Sequence, residues 1–301
     1  MFFNTINIGE GMERFGEVLY DEDLKKYNTY KIGGKSKYII KPNDIDSLIG
    51  LLKYLDEEKI KYKILGKGSN VILPDEDFDG AIILLEKLNN IIIKNNTVEV
   101  EAGCSLNYFI NKVVNSNLKG LEDFYGIPGT VGGAIFQNAG CYGSTICDNV
   151  LNVTYLEDGK IKELKKEDCL FDYRSSIFKR ERNKIILKCK FVLTPGNPSE
   201  MKKTMRDNTD KRVNSQPLEY PNAGSVFRNP IGYYAGRVIE ECELKNFHIN
   251  DAYVSDKHAN FIINKGNASS SDIKELIGYI QDIVYKKEKI ELELEQEIVE
   301  Y

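Results

Sequence analysis

Apolar positions along this chain recur with two periods, and the switches between them outline its elements. Ile45, Leu48, Ile49, Leu52 and Leu55 fall on one face of a helix that Pro42-Asn43-Asp44 starts. Leu106, Phe109, Ile110, Val113 and Val114 form a second such face, with Ser105 placed to cap it and Gly120 to end it. A third runs through Ile273, Leu276, Ile277, Ile280, Ile283 and Val284, with Asp272 and Glu275 in capping-box spacing. A polar helix is expected from about Ser199 to Arg212, and a short leading helix within 10–27. KYIIK, KIKYKIL, AIILL, TVEVE, KIILKCKFVL and IELELEQEI read as strands, the last setting Ile290, Leu292 and Leu294 on one side. Gly33-Gly34 marks a turn, and Asp158-Gly159 joins VLNVTYLE to KIKELK as a hairpin. Helices and mostly antiparallel strands alternate irregularly and without repeats, which predicts an α+β fold rather than a doubly wound sheet. TPGNPSE reads as a linker and places a domain boundary there.

Composition narrows the function classes. A chain of 301 residues with 42% hydrophobic and 29% charged positions is that of a soluble globular protein with two or three domains. A net charge of −5 argues against nucleic-acid binding through a general basic field. No apolar run is long enough to span a bilayer. The start, MFFNTINIGEGMERFGE, lacks a basic segment followed by an apolar one, so no secretory signal is expected and the location expected is cytoplasmic. The six cysteines form no CxxC pair, and neither a metal site nor a disulfide framework is expected.

The stretch from Phe124 to Gly143, FYGIPGTVGGAIFQNAGCYG, stands apart from the periodic segments. Its six glycines allow close approach of backbone amides to a ligand, and consecutive amides in turns form concave anion sites. Gln137 and Asn138 add side-chain donors and acceptors, and Tyr125 and Tyr142 add aromatic faces. The stretch reads as a loop around a phosphate-bearing cofactor, or as a long irregular connection whose glycines only make turns. Gly66-Lys67-Gly68-Ser69-Asn70 is a second glycine loop. It has no third glycine at dinucleotide-fold spacing and is followed by strand and turn, so a Rossmann reading fails.

Three residues carry a catalytic hypothesis: Arg174 in DYRSSIFK, Ser225 in NAGSVFRN and Glu297 near the end. Each also has an ordinary explanation, as a surface ion pair, a turn hydroxyl and a solvated carboxylate respectively. Taken with their surroundings, they resemble the UDP-N-acetylenolpyruvoylglucosamine reductase family, flavoenzymes of peptidoglycan precursor synthesis also called UDP-N-acetylmuramate dehydrogenases. NTYKIGG, ILGKGSNVI, GIPGTVGGAIFQNAGCYG, DYRSSIFK, NAGSVFRNP and SDKHANFIIN all look like signatures of that family, in order over nearly the whole chain.

The resemblance implies a flavin-binding half of the vanillyl-alcohol-oxidase type in two subdomains, 1–80 and 81–195, followed by an α+β substrate domain at 196–301. It implies noncovalent FAD held by Gly66, Lys67, Gly68, Ser69 and Asn70, and by Pro128, Gly129, Thr130, Gly132, Gly133, Asn138, Gly140, Tyr142 and Gly143. NADPH would give hydride to the flavin, and the enolpyruvyl ether of a UDP-sugar would receive it. Arg174 would meet the substrate carboxylate, Ser225 would donate the proton, and Glu297, protonated or tightly partnered, would share in stabilising the intermediate. Asn229 matches a substrate-binding position and Arg228 a basic one suited to the diphosphate. A monomer is expected, with no nucleic-acid or membrane partner.

This sequence also departs from the family pattern. Gln296 replaces a frequent proline, Val299 stands where an arginine is common, and Ser215 stands where some members carry a substrate-contacting lysine. There is no room after Ile177 for a tyrosine-bearing flap, which suggests the shorter subtype. Cys141 is expected to be an ordinary small residue rather than a flavin attachment point. His258 has a possible substrate-site role and a structural one. Two other functions stay open: a sugar or alcohol oxidase on the same scaffold, and a catalytically silent flavin- or nucleotide-binding regulator.

Overall fold

The structure is a computed structural model and describes residues 11–301. Two compact units form, each from several stretches of sequence. The first comprises Tyr38–Gly66, Gly80–Asp210 and the described residues up to Tyr20; the second comprises Asp21–Lys37, Lys67–Asp79 and Lys211–Tyr301.

A five-stranded antiparallel sheet dominates the first unit. Its order is Lys160–Lys165, Val150–Glu157, Ile185–Val192, Thr97–Glu101, Ile91–Lys94. Asp158 and Gly159 both take positive φ, 51° and 71°, as a tight two-residue hairpin requires. Val98, Val100, Val153, Tyr155, Leu187, Cys189 and Phe191 alternate inward from these strands. They meet Phe109, Ile110, Val113 and Val114 of the helix Leu106–Asn115, whose apolar face is buried as its periodicity predicts. Ser105 holds the capping position but makes no side-chain cap; instead Leu106 N–H donates to the Gly129 carbonyl. Gly120 lies past the end of this helix and closes the short strand Leu118–Lys119 at φ 127°.

A four-stranded sheet has the order Gly16–Asp23, Lys35–Pro42, Phe78–Leu84, Tyr62–Leu65, the last two parallel. Of the leading helix expected within 10–27, only short helical turns form, Glu13–Phe15 and Leu24–Tyr27 among them, on either side of this first strand. Its residue 10 lies outside the described residues. The helix Ile45–Glu57 forms as predicted, with the Asp44 carboxylate accepting Ser47 N–H and held below its ordinary pKa by that bond. TPGNPSE contains the two-residue strand Thr194–Pro195, paired with Leu118–Lys119, and leads into the helix Pro198–Ser215.

The second unit packs the helices Ala235–Glu241 and Ser270–Glu288 against the small sheet His248–Ile249, Ala252–Val254, Ile262–Asn264. Ile273, Leu276, Ile277, Ile280 and Val284 are buried there as expected, with Ile283 partly so. The capping box is Ser269–Asp272 rather than Asp272–Glu275: Ser269 Oγ accepts Asp272 N–H, and Asp272 accepts Ser269 N–H. Asp75 adds a second cap, accepting the N–H groups of Ser270 and Ser271. IELELEQEI is not a continuous strand. Residues 289–296 run irregularly over this core, burying Leu292; Leu294 makes an isolated antiparallel bridge with Phe227, and Glu297–Ile298 pairs in parallel with Val71–Ile72. Alternation is satisfied there, but the pairing is split between two short partners and no continuous ladder forms.

Among the described residues no helix is long and apolar enough to cross a membrane, and no cluster of potential metal ligands occurs. All six cysteines are free thiols.

Candidate active site

The glycine-rich stretch is neither a plain loop nor an irregular connection. Ser105 and Thr130 form an isolated antiparallel bridge, after which the seven-residue helix Val131–Gln137 begins. Thr130 Oγ1 caps it by accepting Gly133 N–H at 3.1 Å. Gly132 allows the helix to lie against the backbone of Ala102, since a Cβ there would stand 2.9 Å from the Ala102 Cβ. Gly140–Cys141 and Ser144–Thr145 then pair across a tight turn in which Tyr142 and Gly143 both take positive φ. The Tyr142 hydroxyl donates to the Asn208 carbonyl, and Asp123 accepts from Ser144 Oγ and from Asn208 Nδ2. Asp123 anchors the turn from a position that carries no motif signal in the sequence.

These residues fit a bound FAD in two respects. A Cβ at Gly129 or Gly143 would meet nothing within 4 Å, so both glycines border open space rather than packed protein. Asn138, 4% exposed and left-handed at the helix end, donates through Nδ2 to the Asp172 carbonyl, but its Oδ1 is buried with no hydrogen-bond partner. A buried acceptor without a donor is costly, and a flavin ring N–H or ribityl hydroxyl is a donor of the kind it lacks. Gly66 belongs to the same unit, where its would-be Cβ would lie 3.1 Å from Thr130 Oγ1. Lys67, Gly68, Ser69 and Asn70 belong to the second unit. There the Gly68 carbonyl accepts from Thr29 N–H, and Gly68 itself, at φ 63°, leaves no space for a side chain beside the Tyr27 carbonyl.

DYRSSIFK is fastened to this framework. Ser176 Oγ donates to the Phe136 carbonyl, and Lys179 Nζ to Gln137 Oε1 and the Arg174 carbonyl. Arg174 itself sits at φ 54°, its Nη2 donating to the Gly140 carbonyl at 2.8 Å and its guanidinium lying 5.3 Å from the Tyr173 ring centre. A Cβ at Gly140 would come within 2.6 Å of Arg174 Nη1. A side chain at position 140 would displace the Arg174 guanidinium from this place. After the short helix Ile177–Arg180 the chain enters the strand Ile185–Val192 directly, with no inserted flap.

Ser225 and Glu297 lie in the second unit and share a scaffold. Val226 N–H donates to the Asn260 carbonyl, and the Asn260 side chain, 4% exposed, bonds both Phe227 N–H and the Phe227 carbonyl. Glu295 N–H donates to the Val226 carbonyl, and Glu297 N–H to that of Asn70. Gln296, 3% exposed, donates to the carbonyls of Ala223 and Gly224 and accepts from the Tyr30 hydroxyl. The Ser225 hydroxyl has no protein hydrogen-bond partner among the described residues. Asn229 Oδ1 accepts Ala235 N–H at the start of a helix, and Arg228 stands 3.6 Å from Glu293 and 3.8 Å from Glu295. Ser215 Oγ is turned back to the Lys211 carbonyl.

His258 is held structurally. Its Nδ1 accepts Asn260 N–H, which leaves the ring proton on Nε2, and burial lowers its pKa below the ordinary imidazole value. Cys141 Sγ donates to the Asp123 carbonyl. Sequence reading missed Asp123, Lys179, Asn260 and Tyr30; of these, only Asp123 lies outside the quoted motifs.

Comparison with known proteins agrees with both halves. The model of an FAD binding domain matches residues 36–165, and that of the UDP-N-acetylenolpyruvoylglucosamine reductase C-terminal domain matches 216–299. The chain is 42% identical to the UDP-N-acetylenolpyruvoylglucosamine reductase of Caldanaerobacter subterraneus subsp. tengcongensis over 285 residues, 94% of each chain. It is 43% identical to that of Carboxydothermus hydrogenoformans over 284 residues, again 94% of each. Among solved structures it is similar to the UDP-N-acetylenolpyruvylglucosamine reductase from Thermus caldophilus, with a TM-score of 0.80 and 29% identity over 94% of this chain and 98% of that one. With an FAD-binding domain followed by this C-terminal domain, the chain belongs to the UDP-N-acetylenolpyruvoylglucosamine reductase family of flavin-dependent oxidoreductases.

Proposed function

We propose that this chain reduces the enolpyruvyl group of UDP-N-acetylglucosamine enolpyruvate to give UDP-N-acetylmuramate, with NADPH as electron donor. The observation that carries the reading is Arg174, its guanidinium held 2.8 Å from the Gly140 carbonyl within the glycine-rich framework of the FAD-binding domain. Bound FAD would supply the two-electron relay between NADPH and substrate. Residues 1–80 and 81–195 hold the flavin, noncovalently, and 196–301 hold the UDP-sugar.

Each residue has a definite task. Hydride addition at the terminal carbon of the enolpyruvyl double bond sends the displaced electron pair toward the adjacent carbon and its carboxylate. Arg174, fixed by its bond to Gly140, donates to that carboxylate where the charge develops. Ser225 delivers a proton to the adjacent carbon, and its hydroxyl, with no protein partner, is free to take up that geometry and to be reprotonated from water. Glu297 shares in stabilising the charge of the intermediate. Arg228 and Asn229 bind the diphosphate side of the substrate, while Ser215 leaves it without a lysine at that place. The protein acts as a cytoplasmic monomer with no nucleic-acid or membrane partner.

Ser225→Ala tests the assignment. NADPH should bleach the flavin at the wild-type rate, while reoxidation by the enolpyruvyl sugar slows about a hundredfold or more. Unchanged reoxidation would remove Ser225 from the chemistry.

A further inference from the structure

We infer that Gln296 is the positioning residue that aims Ser225 for proton transfer, an inference that rests on the reading of Ser225 as proton donor. Both ends of the Gln296 amide are engaged: Nε2 donates to the Ala223 and Gly224 carbonyls, each at 3.1 Å, and Oε1 accepts the Tyr30 hydroxyl at 3.1 Å. Tyr30 is fully buried, and burial holds its phenol protonated well above the usual range, so it acts as a donor and thereby fixes which way the amide points.

The geometry explains why this anchor matters. The Gly224 carbonyl and the Ser225 N–H share one peptide plane, so holding the oxygen sets the direction from which the serine side chain leaves the backbone. Gly224 sits at φ 76° with open space where a Cβ would be, and Asn222 Oδ1 accepts its N–H at 3.0 Å. On the far side of Ser225, Val226 is fixed by Asn260 and Glu295. With no protein partner of its own among the described residues, the serine hydroxyl depends on these backbone anchors for the direction of its Cα–Cβ bond. Gln296 also immediately precedes Glu297, so one side chain ties the turn carrying the proposed proton donor to the strand carrying the proposed carboxylate. A proline at 296 has no donor to offer, and a carboxylate would turn its oxygens toward two carbonyls.

A double-mutant cycle read on the FAD-loaded protein tests this. In the Ser225 background, Gln296→Ala should slow reoxidation of the flavin by substrate about tenfold and leave bleaching by NADPH unchanged. In the Ser225→Ala background the same replacement should change reoxidation by less than about twofold, because no aimed hydroxyl remains to be lost. Tyr30→Phe keeps the shape of the core, goes through the same cycle with a smaller loss, and carries the test if Gln296→Ala does not load with FAD. Hydrogen exchange supplies a readout without turnover: the 222–227 segment should exchange faster in Gln296→Ala. Equal losses in both backgrounds, no loss in the first, or unchanged exchange at 222–227 would overturn the inference. Normal reoxidation in Ser225→Ala alone would instead overturn the reading of Ser225.

Discussion

Gly129 and Asn260 show how much single residues decide. A methyl at Gly129 would meet no protein atom, so Gly129→Ala should leave the thermal stability of the FAD-free protein unchanged. The same methyl would occupy space assigned to the cofactor, and FAD affinity should fall by about tenfold or more. Calorimetry on the FAD-free protein and an FAD titration check both halves; an unchanged affinity would place the cofactor elsewhere. Asn260 is different, because its one side chain satisfies both backbone groups of buried Phe227. Asn260→Ala should destabilise the chain by about 2 to 4 kcal/mol, seen as a lower urea midpoint. At this scale the sequence singled out residues whose type chemistry constrains, Arg174 and Ser225. It carried no signal for Asp123, and it marked the motif of Tyr30 and the change at Gln296 without their bond to each other, because those two lie far apart along the chain.

Helices and strands follow from periodicity where a face is buried, and depart from it where a neighbour decides. The faces of Ile45–Glu57 and Leu106–Asn115 were legible because one stripe of each meets the core. The residues before Asp23 and after Lys289 were not, because alternation cannot say whether a partner strand exists. The helix Val131–Gln137 was hidden by its glycines, which weaken helical propensity but let it lie close to Ala102. Caps give a direct test: Asp75→Ala leaves Ser270 and Ser271 N–H without their acceptor and should cost about 1 kcal/mol in chemical denaturation. The hairpin gives a pH test. Glu157 bonds Lys162 and Lys184, and these bonds lower its pKa from 4.5 to about 2. Because the folded value lies below the unfolded one, its contribution is present above about pH 4.5 and is lost as pH falls toward 2. The stability gap between the wild type and Glu157→Gln should therefore close across that window, and a gap constant from pH 7 to pH 2 would contradict the assignment.

At the scale of the whole molecule, each unit carries a core of its own. The first has a packed five-stranded sheet and the second a two-helix core. In the first unit, the space beside Gly129 and Gly143 and the buried Asn138 Oδ1 are features that apolar packing does not account for and that bound FAD would. The most direct measurement is the flavin spectrum of the FAD-loaded protein in a rapid-mixing experiment. The account predicts a yellow protein that NADPH bleaches and that UDP-N-acetylglucosamine enolpyruvate restores in the absence of oxygen. A protein that takes up no FAD, or a bleached flavin that the enolpyruvyl sugar leaves colourless, would contradict it.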